Sequence, residues 1–234
     1  MEKLSQSQVD GVQYRRAKLW QIILVAFNAF NGMAVYFLIG LSSYSASIGY
    51  GIATLVVGGL LTFTRVFDAI TDPLLAFVYD RFQSPFGKIR PLMLIGWAIQ
   101  STGLLCLFHF FSGKGHGIPV FLVFYMLYVI GYTIVNMTAQ TLPALMTNDP
   151  RQRPTVGVWQ TVLNYLTPMA LNIVVYTRIL PAMGGKFNQN FLNTVTWLCV
   201  AVSFLGVALV CIGISAYDKP ENFKGIGKTE KLRL

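Results

Sequence analysis

Six long apolar stretches dominate the sequence and leave little choice of fold. They cover approximately residues 20–46, 50–78, 92–112, 119–146, 155–181 and 191–216. About 20 apolar residues in a helix cross the roughly 30 Å hydrocarbon core of a bilayer. A helix also satisfies its own backbone hydrogen bonds, which lipid cannot do. The sequence therefore predicts an all-α, polytopic membrane protein with six transmembrane helices.

The composition agrees with this fold class. Of the 234 residues, 54% are hydrophobic and 12% are charged, whereas charged residues make up about a quarter of an ordinary soluble domain. These values exclude a water-soluble globule and a disordered chain. The net charge of +9 is spread between the apolar stretches, so a nucleic-acid partner is not expected. The sequence contains no nucleophile elbow, phosphate-binding glycine loop or metal-ligand spacing, so we expect neither an enzyme nor a cofactor.

Lysine and arginine residues predict the orientation in the membrane. Most of them lie before the first stretch and after the second, fourth and sixth. By the positive-inside rule, these segments and both termini are cytoplasmic, in a plasma (inner) membrane. We expect a cytoplasmic lead over residues 1–19, a six-helix transmembrane unit over 20–216 and a basic cytoplasmic tail over 217–234. The tail is expected to lie in solvent or against anionic lipid headgroups.

Polar residues inside the predicted spans recur at steps of three and four, which places them on one face of a helix. The stripe in the second span consists of Gly58, Thr62, Arg65, Asp68 and Asp72, and that in the fourth of Tyr125, Tyr128, Tyr132, Asn136 and Gln140. The fifth span repeats the pattern with Gln160, Asn164 and Thr167, and the first has a shorter version with Asn28 and Asn31. We therefore expect spans one, two, four and five to line a common surface. Spans three and six, which lack such a repeat, are expected to face lipid.

The two carboxylates of the second span predict a cation site. A carboxylate inside a membrane span costs of order 2.5 to 3.5 kcal/mol on insertion scales. Arg65, one turn before Asp68, can neutralise one of the pair, which leaves a formal charge of −1. That residual charge suits one monovalent cation or one proton. The alternative is an Arg–Asp pair that only holds two helices together.

Aromatic and amide side chains in the spans are candidates for binding a small polar solute. Tyrosine and tryptophan rings can stack on a sugar ring, but they also collect at membrane interfaces. Amides can hydrogen-bond solute hydroxyls, but they also join helices to one another. The candidates are Asn31, Tyr36, Tyr128, Tyr132, Asn136, Gln140, Trp159, Gln160 and Asn164.

The stretch from Arg65 to Pro91, RVFDAITDPLLAFVYDRFQSPFGKIRP, resembles the glycoside-pentoside-hexuronide:cation symporters of the major facilitator superfamily. The resemblance depends on the segment DAITDP and on the loop residues Asp80, Arg81, Gly87, Lys88, Arg90 and Pro91. Weaker similarity follows at 131–136 and in the loop at 149–153.

The resemblance implies roles for individual residues. It implies that Asp68 and Asp72, with Thr71 and Thr133, bind the coupling ion, which is Na⁺ or H⁺. It implies a cytoplasmic gate formed by Asp80, Arg81, Lys88, Arg90, Arg151 and Arg153. The implied function is symport of a sugar, glycoside or similar solute by alternating access.

The proposed solute site departs from the family's melibiose-carrying type member. That protein holds its sugar with acidic side chains of the first and fourth spans and an arginine of the fifth. Here the corresponding regions contain Asn31, Asn136, Gln160 and Thr161. Amides lack the charge-assisted strength of carboxylates, so the resemblance does not identify the solute, nor does it choose between Na⁺ and H⁺.

The resemblance covers only the amino-terminal half of the family's fold, so it implies one major-facilitator half-bundle. A complete midplane site needs a second six-helix unit. That unit could be a second copy, which we favour, or a separate chain, or the missing part of a longer carrier. Two other functions remain open: a non-transporting regulatory or assembly subunit, and a carrier of lipid-like solutes.

Overall fold

The computed structural model describes residues 15–82 and 84–219, and it is helical without any strand in those ranges. Six long helices follow one another: α1 Leu19–Gly49, α2 Thr54–Arg81, α3 Ile89–Phe110, α4 Gly117–Met146, α5 Arg153–Val174 and α6 Gln189–Gly213. The predicted all-α fold is confirmed. Most of the predicted lead and tail lies outside the described residues.

Four of these helices, α1, α3, α4 and α6, are long and apolar enough to cross a membrane. The other two, α2 and α5, contain polar stripes that lower their hydropathy. The charged residues Arg65, Asp68 and Asp72 all lie in α2. The number of six spans therefore stays a prediction, although the helices begin and end close to the predicted bounds.

The two ends of the bundle differ in structure. We call one end the distal end. There α1 and α3 end in π-helical turns at Ser45–Gly49 and Cys106–Phe110, and a third π-helical turn, at Val175–Ile179, follows α5. The opposite end, here called the terminal end, contains the first and last described residues, Arg15 and Lys219. Both ends of the described range therefore lie on the same side of the bundle.

Glycines allow two pairs of helices to pack closely. A Cβ at Gly206 of α6 would lie 2.7 Å from the Phe30 Cβ of α1, and a Cβ at Gly131 of α4 would lie 2.2 Å from the Gln100 backbone nitrogen of α3. Small residues at such positions let helix backbones approach in membranes, where packing rather than hydrophobicity drives association. The pairs α1–α6 and α3–α4 thus form the close-packed part of the fold.

A buried polar network connects α1, α3 and α6. The Asn31 Oδ1 accepts hydrogen bonds from Gln100 Nε2, at 2.9 Å, and from the Ser203 hydroxyl, which itself accepts from Trp97 Nε1 at 3.0 Å. The expectation that α3 and α6 simply face lipid is therefore incomplete. Their outer faces are apolar and exposed, but their inner faces carry polar groups that converge from separate helices.

Helices α2 and α5 are the least covered. Helix α2 packs mainly on α4 and on the distal end of α1, and α5 packs mainly on α1. Their remaining faces expose large apolar side chains such as Val66 and Ile70 of α2, and Tyr165 and Met169 of α5.

Candidate cation and solute site

A cavity of about 480 Å³ lies between α1, α2 and α4. It brings together nine of the predicted site residues: Tyr36, Arg65, Asp68, Asp72, Tyr128, Tyr132, Thr133, Asn136 and Gln140. The stripes of α2 and α4 therefore face one another across it. Helix α5 does not contribute to the lining, so three of the four expected helices form this surface.

The two carboxylates of α2 have different surroundings. The Thr133 hydroxyl of α4 donates a hydrogen bond to Asp72 Oδ1 at 3.2 Å. Asp68 Oδ2 lies 3.6 Å from Arg65 Nη1, and the Arg65 side chain is 79% exposed. The second oxygen of Asp68, Oδ1, is buried, and no donor among the described residues reaches it. A buried carboxylate oxygen without a partner is costly, so this atom is an available acceptor.

Thr71 differs in placement from the other expected cation ligands. Its hydroxyl lies 3.1 Å from the Phe67 carbonyl oxygen and 3.3 Å from that of Asp68, both on its own helix. It is also not among the cavity-lining residues. A threonine hydroxyl commonly bonds back to the preceding turn in this way, so in this conformation Thr71 is bound to the backbone of α2.

Tyrosines form one wall of the cavity. The ring centroids of Tyr125 and Tyr128 are 5.4 Å apart, and those of Tyr128 and Tyr132 are 5.9 Å apart. Tyr125 also lies beside Thr64 of α2. Tyr125 belonged to the predicted stripe but was not assigned to the site, although its spacing of three residues from Tyr128 already indicated a shared face.

The remaining solute candidates lie elsewhere in the described structure. Asn31 is buried in the network with Gln100 and Ser203, so its amide oxygen is already satisfied. Trp159 is half-buried against the apolar cluster near the terminal end, while Gln160 and Asn164 lie on α5 away from the cavity. Periodicity identifies one face of a helix, but it does not identify which neighbour that face meets.

The α2–α3 loop is held by Asp218, a residue that the sequence analysis missed. Its fully buried carboxylate accepts hydrogen bonds from the backbone N–H groups of Lys88, Ile89 and Arg90 at 2.8 to 3.1 Å. Arg90 Nε lies 3.2 Å from the same carboxylate. Asp218 therefore occupies the electropositive amino-terminal end of α3, where four N–H groups lack helical partners.

Gly87 makes this contact possible. Its φ of +104° lies in the region that favours glycine, and a Cβ there would lie 2.5 Å from the Asp218 Cγ. The glycine of the loop motif is thus required both by the backbone conformation and by the close approach of the carboxylate.

The other predicted gate residues of this loop make local contacts. The Lys88 ammonium lies 4.3 Å from the Tyr79 ring centroid, and burial lowers the pKa of Lys88. The Arg81 guanidinium lies over the Phe77 ring at 3.9 Å. Asp80 is exposed at the end of α2.

The α4–α5 loop is held by a second buried carboxylate, Asp149. It accepts a hydrogen bond from the Arg151 backbone N–H at 2.9 Å and pairs with the Arg16 guanidinium. The hydrogen bond from the Arg151 backbone has the largest effect on the pKa of Asp149. Together with the Arg16 side chain it holds this pKa below its usual value. Arg153 Nε lies 3.5 Å from the Thr147 carbonyl oxygen. The two loops are therefore fastened to the segments that flank the bundle, at 15–18 and 214–219.

The sequence model of the family described as MFS/sugar transport protein matches residues 21–233. An inner membrane symporter of Escherichia coli, YicJ, is 31% identical over 58% of the chain and 30% of its own length. The glucuronide carrier protein homolog of the same organism is 31% identical over 80% of the chain and 40% of its own length. The lactose permease of Lactobacillus helveticus is 22% identical over 88% of the chain and 34% of its own length.

The chain thus spans between 30% and 40% of the length of these relatives. The family match covers nearly every described residue, including the cavity-lining stripes and both loops. Together with the four long apolar helices, it identifies a multi-pass membrane protein of a transporter family rather than an enzyme. The chain belongs to the MFS/sugar transport protein family of the major facilitator superfamily.

Proposed function

We propose that this chain is a six-helix unit of a secondary transporter that moves a sugar-like solute together with one monovalent cation. The observation that supports this most directly is the arrangement of two carboxylates in one cavity. Asp68 presents a buried oxygen that no donor in the described part of the chain reaches, and Asp72 is hydrogen-bonded across to α4. Intramembrane carboxylates are costly and are usually functional.

Three oxygen-bearing groups make up the proposed cation site. Asp68 Oδ1, the Asp72 carboxylate and the Thr133 hydroxyl line one cavity and offer hard oxygen ligands. With Arg65 paired to Asp68, the formal charge is −1, which one Na⁺ or one H⁺ neutralises. A cation bound there would bridge α2 and α4, because its ligands come from both helices.

The cavity lining favours a hydroxyl-rich solute over a lipid-like one. Its volume of about 480 Å³ lies within the range of small-molecule sites, about 300 to 1,000 Å³. Asn136 and Gln140 offer amide donors and acceptors, and Tyr36 and Tyr132 offer hydroxyls and ring faces. Relatives named as a lactose permease and a glucuronide carrier homolog agree with a sugar or glycoside.

A second six-helix unit would complete the site. Of the helices that the structure describes, α1, α2 and α4 line the cavity, and α2 and α5 expose large apolar residues. Parallel halves related by an axis along the membrane normal form midplane sites in this superfamily. We favour a second copy of the chain over a separate partner chain. Rocking of the paired units would then expose the site to each side in turn, with the two terminal-end loops acting as the gate.

Uptake into proteoliposomes tests the proposal, with lactose and a glucuronide as probes under an imposed Na⁺ or H⁺ gradient. Asp72→Asn should abolish gradient-stimulated uptake while leaving the protein folded. Thr62→Val is the matched control, because Thr62 lies in the same stripe of α2 but does not line the cavity. Gradient-stimulated uptake by Asp72→Asn at the wild-type rate would contradict the coupling role. Absence of uptake by the wild-type chain with every probe would favour the non-transporting subunit.

A further inference from the structure

A second cavity lies outside the proposed transport site, at the terminal end of the bundle. It is a groove of about 610 Å³ between α3 and α6. Its walls are Pro91 and Leu94 of α3 and Cys211 and Ile212 of α6. Nothing in the proposed transport mechanism uses these residues, and the groove shares no lining residue with the cavity that holds the proposed cation site.

The groove opens toward the surface that faces lipid. Leu94 and Ile212 are exposed in the structure, as are Ile95, Phe204 and Leu205 on the same outer faces of α3 and α6. In a bilayer this surface is covered by acyl chains, because lipid is the surrounding solvent. The four apolar wall residues therefore suit an acyl chain, which can fill a groove that helix packing leaves open.

The mouth of the groove carries positive charge. Arg90 lines it, and its guanidinium is fixed by the Asp218 carboxylate on one side and by the Phe86 carbonyl oxygen, 2.8 Å away, on the other. Lys219 is exposed next to Asp218 in the chain. Asp218 is fully buried beneath the amino-terminal end of α3, where three backbone N–H groups share its negative charge with the Arg90 guanidinium. Arg90 thus places one basic side chain in the lining of the groove, and a second basic residue, Lys219, directly follows in the chain the carboxylate that holds it.

We propose that this groove binds one anionic phospholipid from the leaflet at the terminal end. One acyl chain lies along Pro91, Leu94, Cys211 and Ile212. The phosphate lies at the mouth, near Arg90 and Lys219, because a guanidinium held in place matches phosphate geometry well. The lipid would contact α3, α6 and the α2–α3 loop at once and so reinforce the contact made by Asp218.

Native mass spectrometry of the full-length chain in detergent tests this site with phosphatidylglycerol and phosphatidylcholine of identical acyl chains. We expect phosphatidylglycerol to be retained roughly tenfold more strongly, as two basic side chains near an anionic headgroup would produce. Leu94→Trp should fill the groove and reduce this retention by about tenfold. Leu205→Trp is the matched control, since Leu94 and Leu205 are 43% and 49% exposed on the same outer surface. It should leave retention unchanged.

Equal retention of the two lipids by the wild-type chain would overturn the proposal, as would full phosphatidylglycerol retention in Leu94→Trp. If Leu94→Trp does not fold, Ile212→Trp fills the groove from α6 and is read in the same way. Residues 220–234, which follow Lys219 and lie outside the described structure, are the other candidate occupant. Phosphatidylglycerol binding that appears only after their removal would assign the groove to that segment and likewise overturn the proposal.

Discussion

Thr133 of α4 donates a hydrogen bond to Asp72 of α2 across 3.2 Å, and this contact joins the two helices whose polar stripes line the cavity. It places a hydroxyl oxygen beside one of the two intramembrane carboxylates. The same pair that orders α2 against α4 would therefore also provide two of the ligands for a coupling cation.

Replacing Thr133 with valine should weaken cation binding with little change in shape. The variant loses one hydrogen bond to a charged group and one oxygen ligand, so we expect roughly a tenfold weaker apparent affinity. The apparent cation affinity is obtained by measuring solute binding as a function of Na⁺ concentration and of pH. Thr138→Val is the control, because the Thr138 hydroxyl bonds only to carbonyl oxygens of α4 and does not line the cavity. Equal losses in both variants would argue against a specific role for Thr133.

Alanine substitutions of Asn31 and Asn136 should have different effects, the first on the stability of the fold and the second on solute binding. Asn31→Ala leaves the donors of Gln100 and Ser203 without their buried acceptor, so it should destabilise the fold by about 1 to 3 kcal/mol. Asn136→Ala removes an exposed amide from the cavity, so it should weaken solute affinity with a small effect on stability. Thermal unfolding in detergent and solute titration distinguish the two. The assignment fails if Asn31→Ala weakens solute binding while unfolding normally.

Asp218→Asn should loosen the terminal end of the bundle. The neutral amide provides one acceptor oxygen where the carboxylate provides two, and it leaves Arg90 without its buried partner. Because Arg90 is partly exposed, the loss should stay below the roughly 3 to 5 kcal/mol that breaking a fully buried ion pair costs. Thermal unfolding should show this loss, whereas the exposed Asp80→Asn control should unfold like the wild type. An unchanged midpoint for Asp218→Asn would show that the contact does not stabilise the loop.

The lowered pKa of Asp149 predicts how the stability of the fold depends on pH. Its folded pKa lies below the ordinary value of 3.8, because the Arg151 N–H and Arg16 favour the ionised form. Ionised Asp149 therefore stabilises the fold above that pH, and this contribution disappears as pH falls through the folded pKa. The unfolding midpoints of wild type and Asp149→Asn should differ at neutral pH and converge below the folded pKa. If the difference between the two unfolding midpoints stays constant across this pH range, the stabilisation by Asp149 does not come from its charge.

Much of the cavity could be predicted from spacing alone. Residues three and four apart share a face of a helix, so the stripes of α2 and α4 correctly placed Asp68, Asp72, Tyr132 and Asn136 together. The same rule did not predict that the stripe of α5 faces away from this cavity. Spacing describes a helix by itself, whereas the identity of its neighbours depends on how the bundle packs.

The terminal-end contacts were beyond prediction for a related reason. Asp218 lies 130 residues from Lys88 in the chain, and no local pattern connects the two. The buried role of Asn31 was also missed, because its partners Gln100 and Ser203 stand outside any repeat of polar residues at steps of three and four. Such isolated residues reveal their function only when three helices bring them together.

We propose that Asp72 belongs to a cation site that is coupled to solute binding. Coupling is reciprocal, so a bound cation must change solute affinity by the same factor that solute changes cation affinity. The most direct measurement is the dissociation constant of lactose or a glucuronide for the reconstituted protein, titrated over Na⁺ concentration and pH. We predict that wild-type affinity increases with Na⁺ or with H⁺ and that Asp72→Asn shows neither dependence. An Asp72→Asn variant that retains the wild-type dependence on either ion would show that Asp72 does not couple the cation to the solute.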